Sequence, residues 1–357
     1  MARRPKNEYI FAPERSIGSR FGCLFLLLIF LAAAIAAVIV VSLSNNSQIA
    51  VETEKITVWG LESGLENTSI LHISDLNGAR FSTSTLQTLG KKSYHAVVLT
   101  GDMVGKSGDY QPLLDLIAQL RPKVPVLFIA GDSDPEPILS TAHGSPSVYN
   151  DWVQAAIDAG AIYLDAPYAL KTSSGRSIWF CPEYQYSLDA NSARVGYEHQ
   201  RQQLISAQLI TTPDGGARLR ALDYYTDVLD RLEAARKAMK EKDLQIMVTH
   251  YPLTRASLNE MVDYENKSIM SLTHVDLILA GHYCGGQWRL PFSDQALYVP
   301  QLGWMPDKSL YTGINWVGSL PQNITPGLGA SDYYTFMPGR VFNKPTATLI
   351  SLTSKAR

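Results

Sequence analysis

Residues 275–291 read VDLILAGHYCGGQWRLP, a short aliphatic run that stops at a glycine and a histidine. Runs of four to eight such residues, bounded by Gly or Asp, are typical of buried strands. Similar runs occur upstream, and each of them also ends at an aspartate or a histidine. They are SILHISD at 69–75, HAVVLTGD at 95–102, VPVLFIAGDSD at 124–134 and LQIMVTH at 244–250.

Helical patterns lie between several of these runs. Apolar residues recur at helical spacing in residues 110–120, 149–159 and 218–243, whereas residues 177–181 and 346–352 continue the strand pattern. Strands that alternate with helices predict an α/β fold built on largely buried strands. Residues 183–216 are weakly patterned, and we expect them to form an extended surface insertion.

The composition excludes several classes of protein. The 357 residues are 46% hydrophobic and 18% charged, with a net charge of -2 and three cysteines. Such a chain is too apolar and too weakly charged to be disordered over most of its length. It also has too few cysteines for a disulfide scaffold and no basic excess for nucleic-acid binding. We therefore expect no nucleic-acid partner.

One segment departs strongly from this average composition. Residues 21–43 read FGCLFLLLIFLAAAIAAVIVVSL, which contains no charge. At about 1.5 Å per residue, this helix is long enough for a hydrocarbon core of about 30 Å. Five basic and two acidic residues precede it, which predicts an N-terminus in the cytoplasm. The alternative is a cleaved signal peptide, although its apolar core would be shorter.

These features predict a single-pass protein of the cell membrane with four regions. The predicted extracytoplasmic domain contains all the strand-like runs described above. The regions are a cytoplasmic basic tail at 1–20, a transmembrane anchor at 21–43, a tether at 44–55 and the extracytoplasmic domain at 56–357.

The residues that end the strand-like runs form a candidate metal-ligand set. In open α/β sheets, ligands bind beyond the carboxyl ends of the strands. A single aspartate there usually forms a turn or caps a helix, but three aspartates and two histidines together offer donors for Mn, Fe or Zn. The set is Asp75, Asp102, Asp132, His250 and His282, whereas we interpret His72, His95, His143, His199 and His274 as structural.

The segments SDLN, LTGDMV, AGDSD, THYP and AGHYCGGQWRLP together resemble the calcineurin-like metallophosphoesterase superfamily. The GHxxGGQxxLP form is similar to that of its membrane-anchored bacterial branch. The resemblance covers residues 56–352 and implies a four-layer αββα sandwich. It also implies one or two divalent metal ions and hydrolysis of phosphoesters by a hydroxide on the metal.

The resemblance assigns ligands to two metal positions, and the first of them departs from the family pattern. Asn77 and Cys284 stand where the family has histidines, so both are weak ligand candidates. Cys284 is either a thiolate ligand or an inert, partly buried cysteine. The resemblance gives Asp75, Asn77, Asp102 and Cys284 for the first metal, and Asp102, Asp132, His250 and His282 for the second.

The family's general acid is also replaced. Ser133 occupies the position of that histidine, and Asp134 follows it as the second candidate catalytic residue. A serine hydroxyl has no pKa near neutrality, so Ser133 is not expected to protonate a leaving group as a histidine does.

Two functional hypotheses follow. The first is a membrane-anchored phosphoesterase with a degenerate di-metal site, acting on small-molecule or lipid-linked phosphomonoesters, phosphodiesters or pyrophosphates. The second is a pseudoenzyme of the same fold that binds a ligand or a protein at the cell surface. Whether hydrolysis is retained stays open. Aromatic residues of the C-terminal region either line the pocket or pack as core, namely Trp304, Tyr311, Trp316, Tyr333 and Tyr334.

Overall fold

The computed structural model covers the predicted anchor and nearly all of the predicted extracytoplasmic domain. The basic tail up to residue 16, His143 and Tyr334 fall outside the described residues. The described residues are 17–142, 146–264, 270–333 and 339–354.

Seven α-helices lie within these ranges, and the three predicted from periodicity are present with small changes at their ends. Local caps explain several of the helix starts. The Ser82 hydroxyl, for example, accepts a hydrogen bond from the Thr85 amide. The helices are α1 Ile17–Asn46, α2 Thr83–Gly90, α3 Gln111–Gln119, α4 Asp151–Asp158, α5 Ala190–Ser206, α6 Pro213–Ala238 and α7 Arg255–Tyr264.

Fourteen strands form two six-stranded sheets and one short pair within the described residues. All the strand-like runs of the sequence are strands. They are β1 Ala50–Thr57, β2 Ser69–Ile73, β3 Ala96–Thr100, β4 Val126–Ile129, β5 Ile162–Tyr163, β6 Tyr168–Lys171, β7 Ser177–Pro182, β8 Leu244–Val248, β9 Leu277–Ala280, β10 Tyr298–Val299, β11 Gly303–Trp304, β12 Gly313–Val317, β13 Leu320–Ile324 and β14 Thr346–Thr353.

The two large sheets pack face to face between helices. The first has the order β1-β14-β2-β3-β4-β5, and the second has the order β12-β13-β9-β8-β7-β6. Apolar side chains of both sheets, such as Val98 and Ile246, form one buried cluster between them. The outer face of the first sheet packs on α2, α3 and α4, and that of the second packs on α6 and α7. The four-layer αββα sandwich is therefore confirmed.

The N-terminal helix α1 is long and apolar enough to cross a membrane, and its described side chains in residues 22–46 are almost all exposed. It ends at Asn46, and β1 begins at Ala50 and pairs in parallel with β14. Residues 50–55, which we expected to belong to a tether, are thus part of the first sheet. The sequence does not predict this strand, because β1 is polar along much of its length, as expected for an edge strand.

The segment 183–216 is helical, so the expectation of an extended insertion is wrong. Asp189 caps α5 by accepting a hydrogen bond from the Ser192 amide, and Pro213 begins α6. Helix α5 buries only Ala190 and Leu204, so it shows little apolar periodicity. Its stability comes instead from packing on α6, including ion pairs of Arg194 with acidic side chains of that helix.

Candidate metal centre

The fold brings the ends of five strands to one place. Asp75 follows β2, Asp102 follows β3 and Asp132 follows β4 in the first sheet, while His250 and His282 follow β8 and β9 in the second. Their donor atoms form two groups whose members all lie within 4.8 Å of one another. One group contains Asp132, His250 and His282, and the other contains Asp75, Asp102 and His250.

His250 lies at the centre of the site, and the backbone fixes its ring. Its Nδ1 donates a hydrogen bond of 2.7 Å to the carbonyl oxygen of Thr100. Its Nε2 lies 2.8 Å from Oδ1 of Asp132 and 3.5 Å from Oδ1 of Asp102. Burial lowers the pKa of His250, but the two carboxylates outweigh burial and hold the pKa well above its ordinary value. The Thr100 bond orients Nε2 towards the ligand cluster, as is usual for metal-binding histidines.

His282 approaches the same carboxylate from the second sheet. Its Nδ1 lies 3.2 Å from Oδ1 of Asp132 and 3.2 Å from Nε2 of His250, while its Nε2 lies 3.0 Å from Oε1 of Gln301. Hydrogen bonds to His250 and His282 hold the pKa of Asp132 far below its ordinary value. The ring of Tyr251 lies 4.1 Å from that of His282. Sequence reasoning missed Gln301, which no motif marks, and Tyr251, which follows His250 directly.

Several site residues have backbone conformations that side chains rarely adopt. The φ angles are 52° at Asp75, 55° at Asp102 and 78° at His282. Such angles cost free energy and are concentrated at functional sites. Gly131 permits the close approach of two loops, since a Cβ there would lie 2.1 Å from Oδ1 of Asp102.

The residues predicted for the first metal position lie close together. Asp75 is fully buried, and its Oδ2 accepts a hydrogen bond of 3.0 Å from the His282 amide. Burial is the largest effect that raises the pKa of Asp75 to about 6. The Cys284 thiol donates to Oδ1 of Asp75 at 3.7 Å, and Nδ2 of Asn77 lies 4.0 Å from the Cys284 sulfur. Among the described residues, neither converging donor group includes Cys284.

The thiol of Cys284 is held in its neutral form. The residue is 1% exposed, and burial, followed by the charge of Asp75, raises its pKa well above the ordinary value. Both interpretations of Cys284, as a thiolate ligand and as an inert cysteine, stay open. The participation of Asn77 and Cys284 in metal binding stays a prediction.

The loop after β4 carries both candidate catalytic residues. The Ser133 amide donates a 2.8 Å hydrogen bond to Oδ1 of Asp102. Both carboxyl oxygens of Asp134 accept backbone N–H groups, from Met103 and Gly131 on one oxygen and from residues 104 and 105 on the other. Asp134 therefore ties the loop after β3 to the loop after β4, and its catalytic assignment stays a prediction.

A buried arginine, Arg340, holds the segment that packs on Asp75. Arg340 donates to the carbonyl oxygens of Pro326, Gly327 and Gly329 and to the Asn343 side chain. The 327–329 segment packs on Asp75, and the Gly329 amide donates to the Asp75 carbonyl at 2.6 Å. Sequence reasoning gave Arg340 no role, because it lies far along the chain from Asp75.

The structural interpretation of the four described histidines outside the site stays a prediction. His72 is buried and hydrogen-bonded at both ring nitrogens, to Asn323 and Thr100. His95 accepts a hydrogen bond from the Ser69 amide. The rings of His199 and His274 are exposed, and no converging donor group within the described residues includes any of the four.

The donor set suits a divalent transition metal. Carboxylate oxygens and imidazole nitrogens converge, and carboxylates outnumber imidazoles three to two. Such mixed sets bind Mn, Fe and Zn, and the geometry does not select one of them.

The calcineurin-like phosphoesterase family model matches residues 68–285. The chain belongs to this family. As a calcineurin-like phosphoesterase, it belongs to a group of metal-dependent phosphoester hydrolases, and the match includes every strand-end ligand candidate. Among solved structures, the chain is similar to phosphopantetheinyl hydrolase from Mycobacterium tuberculosis. The two are 13% identical with a TM-score of 0.35, over 73% of this chain and 91% of that chain. No curated protein matches this chain.

Proposed function

We propose that this chain is a membrane-anchored, extracytoplasmic phosphoesterase with a degenerate di-metal site. The observation that carries the proposal is the convergence of Asp132, His250 and His282 within 4.8 Å in the fold of this family. Asp102 completes the set, since its Oδ1 lies 3.5 Å from Nε2 of His250. These four residues hold one divalent ion, and the altered position around Asp75 binds a second ion weakly or not at all.

The residues of the site would orient the ligands of a divalent ion that acts on a phosphoryl group. When bound, a divalent ion supplies charge stabilisation to a phosphoryl group and activates water for attack. Asp132 stays ionised because both histidines face it, and Thr100 holds His250 in the orientation that directs Nε2 to the ion. Gln301 orients His282 through its other ring nitrogen.

The site provides little general-acid catalysis for the departure of the leaving group. Ser133 replaces the family's acid, and loss of a general acid typically costs about 10²–10⁴-fold in rate. The Asp134 carboxylate accepts hydrogen bonds from four backbone N–H groups, so it acts as a positioning residue for the loops after β3 and β4. The preferred substrates therefore carry good leaving groups, as pyrophosphates and aryl esters do.

The membrane topology follows from α1. Residues 21–43 span the membrane, residues 1–20 lie in the cytoplasm and the domain from residue 56 lies outside. The exposed apolar surface of α1 and the basic residues before it support this arrangement. Asn46 exchanges two hydrogen bonds with the Arg340 backbone, so the end of the anchor is docked on the domain. Small-molecule and lipid-linked phosphates at the outer surface are then both accessible substrates.

A full-length preparation in lipid nanodiscs tests the proposal. We expect about one equivalent of bound Mn, hydrolysis of bis(4-nitrophenyl) phosphate, and loss of both in His250→Ala. The matched control is His199→Ala, which changes an exposed histidine far from the ligand cluster. Absence of bound metal in the unaltered chain would refute the proposal.

A second candidate function is supported by the altered positions. Asn77, Ser133 and Cys284 all replace histidines, and the Cys284 thiol is buried and neutral. In this alternative, the domain binds a phosphorylated ligand without cleaving it. Stoichiometric metal without any turnover of the activated diester would favour this alternative over hydrolysis.

A further inference from the structure

Two cavities of different character meet at the candidate metal centre. The larger, here called the tyrosine cavity, has a volume of about 560 Å³ and reaches the site at Asp132 and His250. The smaller, here called the polar cavity, has a volume of about 230 Å³ and reaches it at Asp132 and His282. Asp132 lines both cavities, so a phosphate at the metal centre would lie beside each of them.

The tyrosine cavity presents rings and aliphatic groups to its interior. The Tyr184 hydroxyl donates to the Asp165 carbonyl oxygen and the Tyr224 hydroxyl to the Asp165 carboxylate, so both hydroxyls have partners. Leu164, Val228 and Leu229 supply aliphatic surface. Its six tyrosines are Tyr163, Tyr184, Tyr197, Tyr224, Tyr225 and Tyr251. Cavities of roughly 300–1,000 Å³ with such walls bind apolar ligand groups.

The charges around the tyrosine cavity disfavour an anionic occupant. Asp165 is neutralised by a two-point ion pair with Arg231, at 2.7 and 2.9 Å. Glu136 and Glu183 add two further carboxyl groups to the walls, and no lysine or arginine is among the described residues that line it. A second phosphate or a carboxylate would therefore be repelled on this side.

The polar cavity has walls of mixed chemistry, since Tyr298, Val299 and Tyr333 line it together with charged and polar residues. Lys106 lines it and pairs with Asp332 at 2.9 Å, and Ser133 and Gln301 add polar groups. Both members of the ion pair are more than half exposed, so the pair itself contributes little stability. Asp102, Asp132 and Asp332 all line this cavity, so its charges do not favour an anion either.

We infer that the site takes a phosphoester whose apolar substituent lies in the tyrosine cavity. This inference rests on the proposed function, because it requires phosphate at the metal centre. It narrows the substrate class to phosphoesters that carry an apolar moiety. Inorganic phosphate and simple sugar phosphates leave the larger cavity empty.

Binding to the full-length, Mn-loaded chain in nanodiscs tests the inference without requiring turnover. The probes are inorganic phosphate, 1-naphthyl phosphate and octyl phosphate, measured by calorimetry against empty nanodiscs. Burial of the apolar group predicts that at least one ester binds about 10- to 100-fold more tightly than inorganic phosphate. The naphthyl and octyl arms distinguish a ring from a chain as the source of the apolar group.

Two variants of the tyrosine cavity and one control test whether the preference for esters arises in that cavity. Tyr225→Ala removes a ring from the wall, and Val228→Trp fills the space. We expect both to reduce the ester preference to less than about threefold while inorganic phosphate binds as before, which also shows that they are folded. Trp316→Ala, an exposed aromatic residue outside both cavities, should leave the preference unchanged.

The outcomes separate the two proposals. If inorganic phosphate binds only with Mn but neither ester binds more tightly, the proposed function survives and the tyrosine cavity is not a substrate site. If the ester preference persists in both cavity variants, the inference is also overturned. If none of the probes binds in the presence of Mn, the proposed function itself fails.

Discussion

Nε2 of His250 lies 2.8 Å from Oδ1 of Asp132, across the gap between the two sheets. The histidine follows β8 of the second sheet, and the aspartate follows β4 of the first. The pair therefore forms only when both sheets have folded and packed together. A metal ion bound to both residues would join the two halves of the sandwich.

Metal should therefore stabilise the fold. We expect saturating Mn to raise the unfolding midpoint of the full-length chain, because a ligand that binds only the folded state contributes ~2.7 kcal/mol at 100 times its Kd. His282→Ala should abolish most of this shift, whereas His274→Ala, at an exposed histidine, should retain it. Differential scanning fluorimetry with and without chelator measures both. An equal shift in the two variants would place the metal elsewhere.

Restoring the family's histidines tests whether the first metal position is only degenerate. We expect the combined change Asn77→His, Ser133→His and Cys284→His to raise turnover of a phosphodiester with a poor leaving group by ~10²-fold or more, since it supplies a general acid. The metal content should rise towards two equivalents. Cys284 is 1% exposed, so the larger ring costs about 1–3 kcal/mol of stability.

Ser133→His alone serves as the control for that experiment. It restores the acid without the ligands, so it should raise turnover and leave the metal content unchanged. If the triple variant folds and binds two equivalents of metal but gains no turnover, the pocket has diverged beyond the loss of these histidines.

Buried His72 makes stability depend on pH. Burial is the main cause that lowers its pKa to about 4, against about 6.5 in an unfolded chain. A lowered pKa in the folded state means that this stability is complete above pH 6.5 and is lost as the pH falls towards 4. The difference amounts to ~3 kcal/mol, because each pKa unit contributes about 1.4 kcal/mol.

Urea unfolding between pH 4 and 7.5, followed by tryptophan fluorescence, measures this dependence. His72→Gln should make the free energy of unfolding less dependent on pH across that window, by the contribution of about one proton. His199→Gln, at an exposed histidine, should leave the curve as it is. Identical curves for His72→Gln and the unaltered chain would contradict the prediction.

Arg340 should be important for both stability and the site. Its guanidinium is fully buried and donates to three backbone carbonyl groups beneath Asp75. Arg340→Met removes a donor from all three carbonyls, of which that of Gly327 keeps the Thr346 amide as a second donor. We expect a loss of about 2–5 kcal/mol in the free energy of unfolding. Arg340→Lys should recover part of it. The measurement is urea unfolding of the full-length chain, and a loss below 1 kcal/mol for the methionine variant would show that water replaces the arginine.

The anchor should be docked on the domain by Asn46. Its side chain bonds the Arg340 carbonyl at 2.9 Å and the Arg340 amide at 3.3 Å. In proteoliposomes, Asn46→Ala should therefore increase the rate of proteolysis between residues 44 and 50 several-fold. Asn45→Ala, one residue earlier in the helix, is the matched control. Equal rates for the two variants would show that this contact does not restrain the junction.

The sequence by itself determined the α/β class, the apolar N-terminal helix and the residues that end the strands. Each of these signals is local: a buried strand needs a short aliphatic run, and a loop after it needs polar residues. Prediction of secondary structure from the sequence failed where apolar patterning is weak. Helix α5 buries only Ala190 and Leu204, and β1 is a polar edge strand, so both owe their structure to neighbouring elements.

Only the tertiary structure decided how the strand ends meet and what surrounds them. It placed His250 between two aspartates, put the Cys284 thiol in a buried environment and occupied Asp134 with backbone N–H groups. It also placed two cavities beside Asp132, the larger of them lined by six tyrosines. The physical reason is that donor geometry, burial and pKa depend on distances between residues far apart in the chain, which only packing of the two sheets fixes.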